Sequence, residues 1–165
     1  MPEADIRTVC TARLSRLIRY SKLVCGLSGN SLALWRADDN DNDEINPAEL
    51  VYIEAGADGN YIDLLEFEAS GSAATRAIGI DEIQDDSIKA WLFANCIPRY
   101  VHLVPQCANL VFTLDEPAPD TKLVNISFEI DENGMMQTYQ ITAALRGRAE
   151  NLLDLTGDIV AQDDD

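Results

Sequence analysis

Histidine occurs once in this 165-residue chain, at position 102, and the four cysteines, Cys10, Cys25, Cys96 and Cys107, include no C-x-x-C pair. A zinc site needs clustered thiolates and imidazoles, so zinc is not expected. Cations are scarce as well: 12 Lys and Arg face 29 Asp and Glu, a net charge of −17. So few positive groups cannot neutralise many phosphates, which argues against nucleic acid or an anionic membrane surface as partner. No apolar run is long enough to span a bilayer, and Met1-Pro2-Glu3 does not open like a signal peptide, so the chain as written reads as soluble. A glycine-rich phosphate loop and a Gly-x-Ser-x-Gly elbow are also missing. His102 lies between Pro98 and Pro105 with no adjacent nucleophile or orienting acid, and the carboxylates are too numerous to single out an acid pair. The expectation is a protein that is not an enzyme, with His102 in a structural role.

What the chain does have is an acidic loop with oxygen donors at calcium-loop spacing, Asp38-Asp39-Asn40-Asp41-Asn42-Asp43-Glu44-Ile45-Asn46-Pro47-Ala48-Glu49. Counting from Asp38, the ligand positions are Asp38, Asn40, Asn42, Glu44 through its carbonyl, Asn46 and Glu49. Ile45 falls where such loops turn an apolar side chain inward. Asp43 occupies the sixth position, where Gly is usual and a positive φ is expected, a conformation Asp tolerates better than most residues. With amides at several positions the site is expected to be weak and structural, roughly 10⁻⁴ to 10⁻³ M, suited to a calcium-rich environment. An acidic, solvated turn is the other reading of the same residues.

Length and composition fit one domain, assigned to residues 1–150, followed by an acidic C-terminal tail over 151–165. Residues 1–22 run against the overall charge. Arg7, Arg13, Arg16, Arg19 and Lys22 against Glu3 and Asp5 make this segment +3, leaving −20 of the net −17 in the rest. Helical spacing of Ile6, Val9, Cys10, Leu14, Leu17 and Ile18 predicts an amphipathic helix over 3–22. Short strands are predicted at Ser31–Trp35, Leu50–Ala55 and Tyr61–Phe67, so the acidic loop joins two strands and is not a helix-loop-helix switch. A second, short helix is expected over Asp85–Ala94, capped by Asp86 or Ser87, then an irregular link through Pro98 and Pro105. Strands follow at Leu110–Leu114, Lys122–Ile130 and Met135–Leu145, the last two joined by a turn at Asn133-Gly134. Val124, Ile126, Phe128 and Ile130 alternate with polar residues, giving a sheet with one buried face for the N-terminal helix to cover. Cys96 and Cys107 flank the proline-bounded segment and are the first pair to consider for a disulfide, the alternative being four buried thiols.

A basic amphipathic helix leading into an antiparallel meander resembles the globular part of type IV pilin-like proteins, in particular minor pseudopilins of type II secretion systems. The resemblance is carried by Thr11-Ala12-Arg13-Leu14-Ser15-Arg16-Leu17-Ile18-Arg19-Tyr20, Leu32-Ala33-Leu34-Trp35, Leu110-Val111-Phe112-Thr113-Leu114-Asp115 and Leu123-Val124-Asn125-Ile126-Ser127-Phe128. It implies an α+β fold, with the N-terminal helix packed on an antiparallel sheet, and a structural subunit in the periplasm or cell envelope. Related pilin-like subunits would meet it through that helix. Membrane association is expected only if a hydrophobic anchor is encoded upstream. The other functional expectation is a secreted calcium-dependent module that binds carbohydrate or protein through Trp35, Tyr52 and Tyr61.

Overall fold

The computed structural model describes residues 3–38, 42–56 and 58–145, with α1 side chains described from Val9 onward. Helix α1 (Glu3–Arg19) leads into β1 (Leu23–Ser28), β2 (Ser31–Trp35), β3 (Leu50–Ala55) and β4 (Ile62–Glu68). The short helices α2 (Ile80–Gln84) and α3 (Ser87–Asn95) follow, then β5 (Ile97–Val104), β6 (Ala108–Leu114), β7 (Leu123–Glu132) and β8 (Met135–Ala144). Strands β1 to β5 form one antiparallel sheet in chain order, and β6 to β8 a second.

The expectation of an α+β, pilin-like fold with its N-terminal helix laid on one sheet is therefore wrong. The chain is mostly β, with eight strands in two antiparallel sheets and three short helices among the described residues. The reason lies in the strands. Leu32-Ala33-Leu34-Trp35 and Leu50-Val51-Tyr52-Ile53 are apolar at consecutive positions, so both faces of the large sheet must be buried. One helix cannot cover both.

Two cores result. On one face Val24, Leu32, Leu34, Val51, Ile53 and Ile62 meet Phe112, Val124, Ile126, Phe128 and Ile141 of the small sheet, with Cys10, Leu14 and Ile18 of α1 closing the side. On the other face Cys25, Ala33, Trp35, Tyr52, Leu65 and Phe67 lie beneath Ile83 of α2 and Ile88 and Leu92 of α3. Burial of each large aliphatic side chain contributes roughly 1.5–3 kcal/mol before entropy is counted. Of the predicted α1 stripe, Cys10, Leu14 and Ile18 are buried and Leu17 partly so, but Val9 is 48% exposed, and the Ile6 side chain lies outside the described residues.

Other differences are local. The helix predicted over 85–94 begins at Ser87. The Asp85 carboxylate accepts its amide hydrogen at 2.9 Å, while Asp86 turns the chain at φ 65° and makes no side-chain cap. Residues 97–104 are not an irregular link. Pro98 sits opposite Phe67 on β5, an edge strand of the large sheet, the position in a sheet where proline is tolerated. Cys96 and Cys107 belong to opposite cores, so they are not a disulfide pair, and all four cysteines are free and buried. The proposed tail over 151–165 lies outside the described residues, as does the end of the 1–150 domain beyond Leu145. Among the described residues no helix is long and apolar enough to cross a membrane.

Candidate functional site

Loop 38–49 joins β2 to β3, and its described part folds as a tight turn. The Asp38 carboxylate accepts the backbone N–H of Asn42 at 3.3 Å and of Asp43 at 2.8 Å, drawing the chain into a tight turn. Asp43 adopts φ 58°, the left-handed conformation expected of the sixth position. Ile45 is fully buried and forms an isolated antiparallel bridge with Ile78, whose N–H donates to the Ile45 carbonyl at 2.8 Å. The turn is thus pinned by its apolar member, with Asn42 and Glu44 exposed and Asn46 and Glu49 buried.

The ligand positions are placed as follows. Asn42 donates its side-chain amide to Asn46 Oδ1 at 2.9 Å, and its own Oδ1 accepts the Glu44 N–H at 3.0 Å. Asp38, Asn42 and Asn46 are therefore brought together. Glu44 is exposed, and Asn40 lies outside the described residues. Glu49 is buried at the end of a short 3₁₀ turn, Pro47–Glu49. Its Oε1 accepts the Asn46 N–H at 3.1 Å and the Trp35 indole N–H at 3.3 Å. This is the carboxylate half of a capping box, and it fixes the last ligand position against the strand that opens the loop. The assembled donors are all oxygen, the chemistry a hard cation such as calcium prefers. Among the described residues no three carboxylate, imidazole or thiol groups converge on one point.

The aromatic platform does not form. Trp35 and Tyr52 are buried in the core under the helices, and only Tyr61 reaches the surface. A different surface does open along the C-terminal half of α1. There Leu17, Leu64 and Leu103 floor a groove of about 550 Å³, rimmed by Arg13, Arg16, Arg36 and Tyr20. Arg36 is held there by an ion pair with Glu66 at 2.9 Å. An apolar floor under arginines is an amphipathic seat, and it lies where the predicted basic helix meets the sheet.

A further grouping escapes sequence reasoning. The register of the large sheet puts Ser31 opposite Glu54, Glu54 opposite Asp63 and Asp63 opposite His102, a polar row across β2 to β5 just beyond the cover of the helices. Asp63 Oδ1 lies 2.5 Å from His102 Nδ1, with the acid side chain 6% and the imidazole 64% exposed. The orienting acid that His102 lacks in sequence stands beside it across one strand pair. Glu54 takes hydrogen bonds from Ser31 at 2.9 Å and from Lys89 at 2.7 Å. The only sequence signal was cross-strand alignment, which cannot be read before the strand order is known.

No protein-family model matches the chain, and neither a curated protein nor a solved structure does.

Proposed function

We propose that the chain is a non-enzymatic structural subunit of a type IV pilin-like or type II secretion assembly, meeting related subunits through α1 and carrying a calcium-ordered loop between β2 and β3. The observation that carries this reading is the arginine-rimmed groove on α1. The chain is +3 over its first 22 residues and −20 over the rest, so a related acidic subunit, including another copy, would be complementary to it. The loop supports the second half of the reading. Its positive-φ turn at Asp43, inward Ile45 and Glu49 capping arrangement give the described part of the loop a fixed shape, which lowers the ordering cost of binding an ion there. Weak calcium binding belongs to an extracytoplasmic setting, in the periplasm or cell envelope.

Burial of Trp35 and Tyr52 counts against the alternative, a carbohydrate- or protein-binding module built on those rings.

Sedimentation of the concentrated protein at low and high salt tests the docking half. Weak association that salt suppresses, and that Arg16→Glu removes, is expected. A chain monomeric at every concentration and ionic strength would refute docking to copies of itself through α1. Thermal melts in millimolar calcium, in magnesium and in chelator test the loop. A calcium-specific rise is expected, and superimposable melts would reduce the loop to an acidic turn.

A further inference from the structure

We infer that the pocket around His102 is a binding site for an alkylammonium or guanidinium group. This inference is independent of the subunit reading, since none of its residues belongs to α1 or to loop 38–49. The pocket, of about 410 Å³, is lined by Glu54, Ala55, Gly56, Tyr61, Asp63, Tyr100 and His102.

Its walls are built and not incidental. The Tyr61 ring lies directly over Gly56, where an added Cβ would come within 2.2 Å of the ring, so a glycine is needed for the ring to sit there. Tyr61 in turn meets the His102 ring edge-on, with centroids 5.2 Å apart. Tyr100, half exposed, stands two residues before His102 on the same face of β5. Two aromatic rings and an imidazole therefore border the space.

Its polarity selects the ligand. Asp63 is buried with its Oδ1 2.5 Å from His102 Nδ1, so the carboxylate is the hydrogen-bond partner of that ring nitrogen while the ring itself borders the pocket. Glu54 supplies a second carboxylate, and Lys89 from α3 neutralises one charge of the pair. The phenol of Tyr100 is harder to ionise than usual, first through burial and then through the fields of Glu54, Asp63 and Tyr61, which fits a negative potential at the pocket wall. Carboxylate oxygens and aromatic faces together favour a cation with N–H donors over an anion, which would meet two carboxylates. A neutral sugar would use the rings and leave the charge unanswered.

His102 is the chain's only histidine, so its ring resonances report on this pocket alone. The full chain is titrated with Nα-acetyl-lysine N-methylamide, with the neutral glutamine analogue as control. A saturable shift of the His102 signals with the lysine probe, at roughly millimolar affinity, is expected, and the glutamine analogue should give none. Tyr100→Ala, which opens no core, and Asp63→Asn should each weaken the response about tenfold or more. Absence of a saturable shift, or an equal response to the neutral analogue, would overturn the assignment. Dilution of the protein alone identifies the source of the cation. Signals that move with protein concentration, and stop moving when the lysine probe is in excess, place the cation on a second copy. Concentration-independent signals with a positive lysine titration place it on another molecule.

Discussion

Tyr52 shows how much a single side chain can hide. Its ring is buried at the centre of β3 and carries the Lys89 ammonium 4.7 Å from its centroid, yet its hydroxyl has no hydrogen-bond partner among the described residues. A buried hydroxyl stripped of water without a replacement bond is costly. Tyr52→Phe keeps the ring and should leave the protein as stable or about 1 kcal/mol more stable in urea denaturation. Glu49 is the opposite case, since its carboxylate holds two donors and closes the loop. Glu49→Gln retains an oxygen acceptor for Trp35 and Asn46 but loses the charge. Its melting point should stay within a few degrees of the parent in chelator, and the calcium-dependent rise should vanish. At this scale the sequence was informative where geometry rests on local spacing: the turn at Asp43 and the inward Ile45 follow from counting along one loop. It was silent on Asp63 and His102, 39 positions apart.

Among the elements, α1 is anchored by Leu14 and Ile18, both fully buried. Leu14→Asp should cost roughly 3–5 kcal/mol, read as a lowered denaturation midpoint, because the charge has no partner in that core. An unchanged midpoint would mean that α1 is held by something other than the two sheets. Most strands were legible from composition, and the β7–β8 hairpin from Asn133-Gly134, which take φ 56° and 86°. What misled was the meaning of continuous apolar runs. In β2 and β3 they mark strands covered on both sides, but a short run does not say what covers it. β5 was missed for another reason. Pro98 and Pro105 read as breakers, whereas an edge strand leaves room for one inside it. α2 is five residues long, too short to show a period.

For the molecule as a whole, stability should fall on acidification below the ordinary glutamate value of 4.5, and two carboxylates explain why. Burial alone would raise the Glu66 pKa, but hydrogen bonds from Arg99 and Arg36 outweigh it and hold the group low. Glu82 is held low by the Gly79 amide and then by Arg76. A depressed folded pKa means the unfolded chain binds protons first. The stabilisation is therefore complete above the unfolded value and lost as pH falls through the folded ones. Urea midpoints measured from pH 6 down to pH 3 should decline, and less steeply in Arg99→Ala, which removes the hydrogen bond to Glu66. The thiols have a related protection. Burial raises Cys25 to about 12 and Cys107 to about 11, so neither is a thiolate at neutral pH.

The polar row across β2 to β5 has a consequence for how the chain finds its own alignment. A strand whose two sides are both greasy gains little from hydrophobicity alone in choosing one pairing over its neighbour, because a slip by one position exchanges Leu34 for Trp35 and still buries carbon. Ser31 with Glu54, and Asp63 with His102, match only when the strands are correctly indexed. The same side chains that border a pocket thus act as alignment keys, rejecting assembly errors that the surrounding leucines and valines would accept.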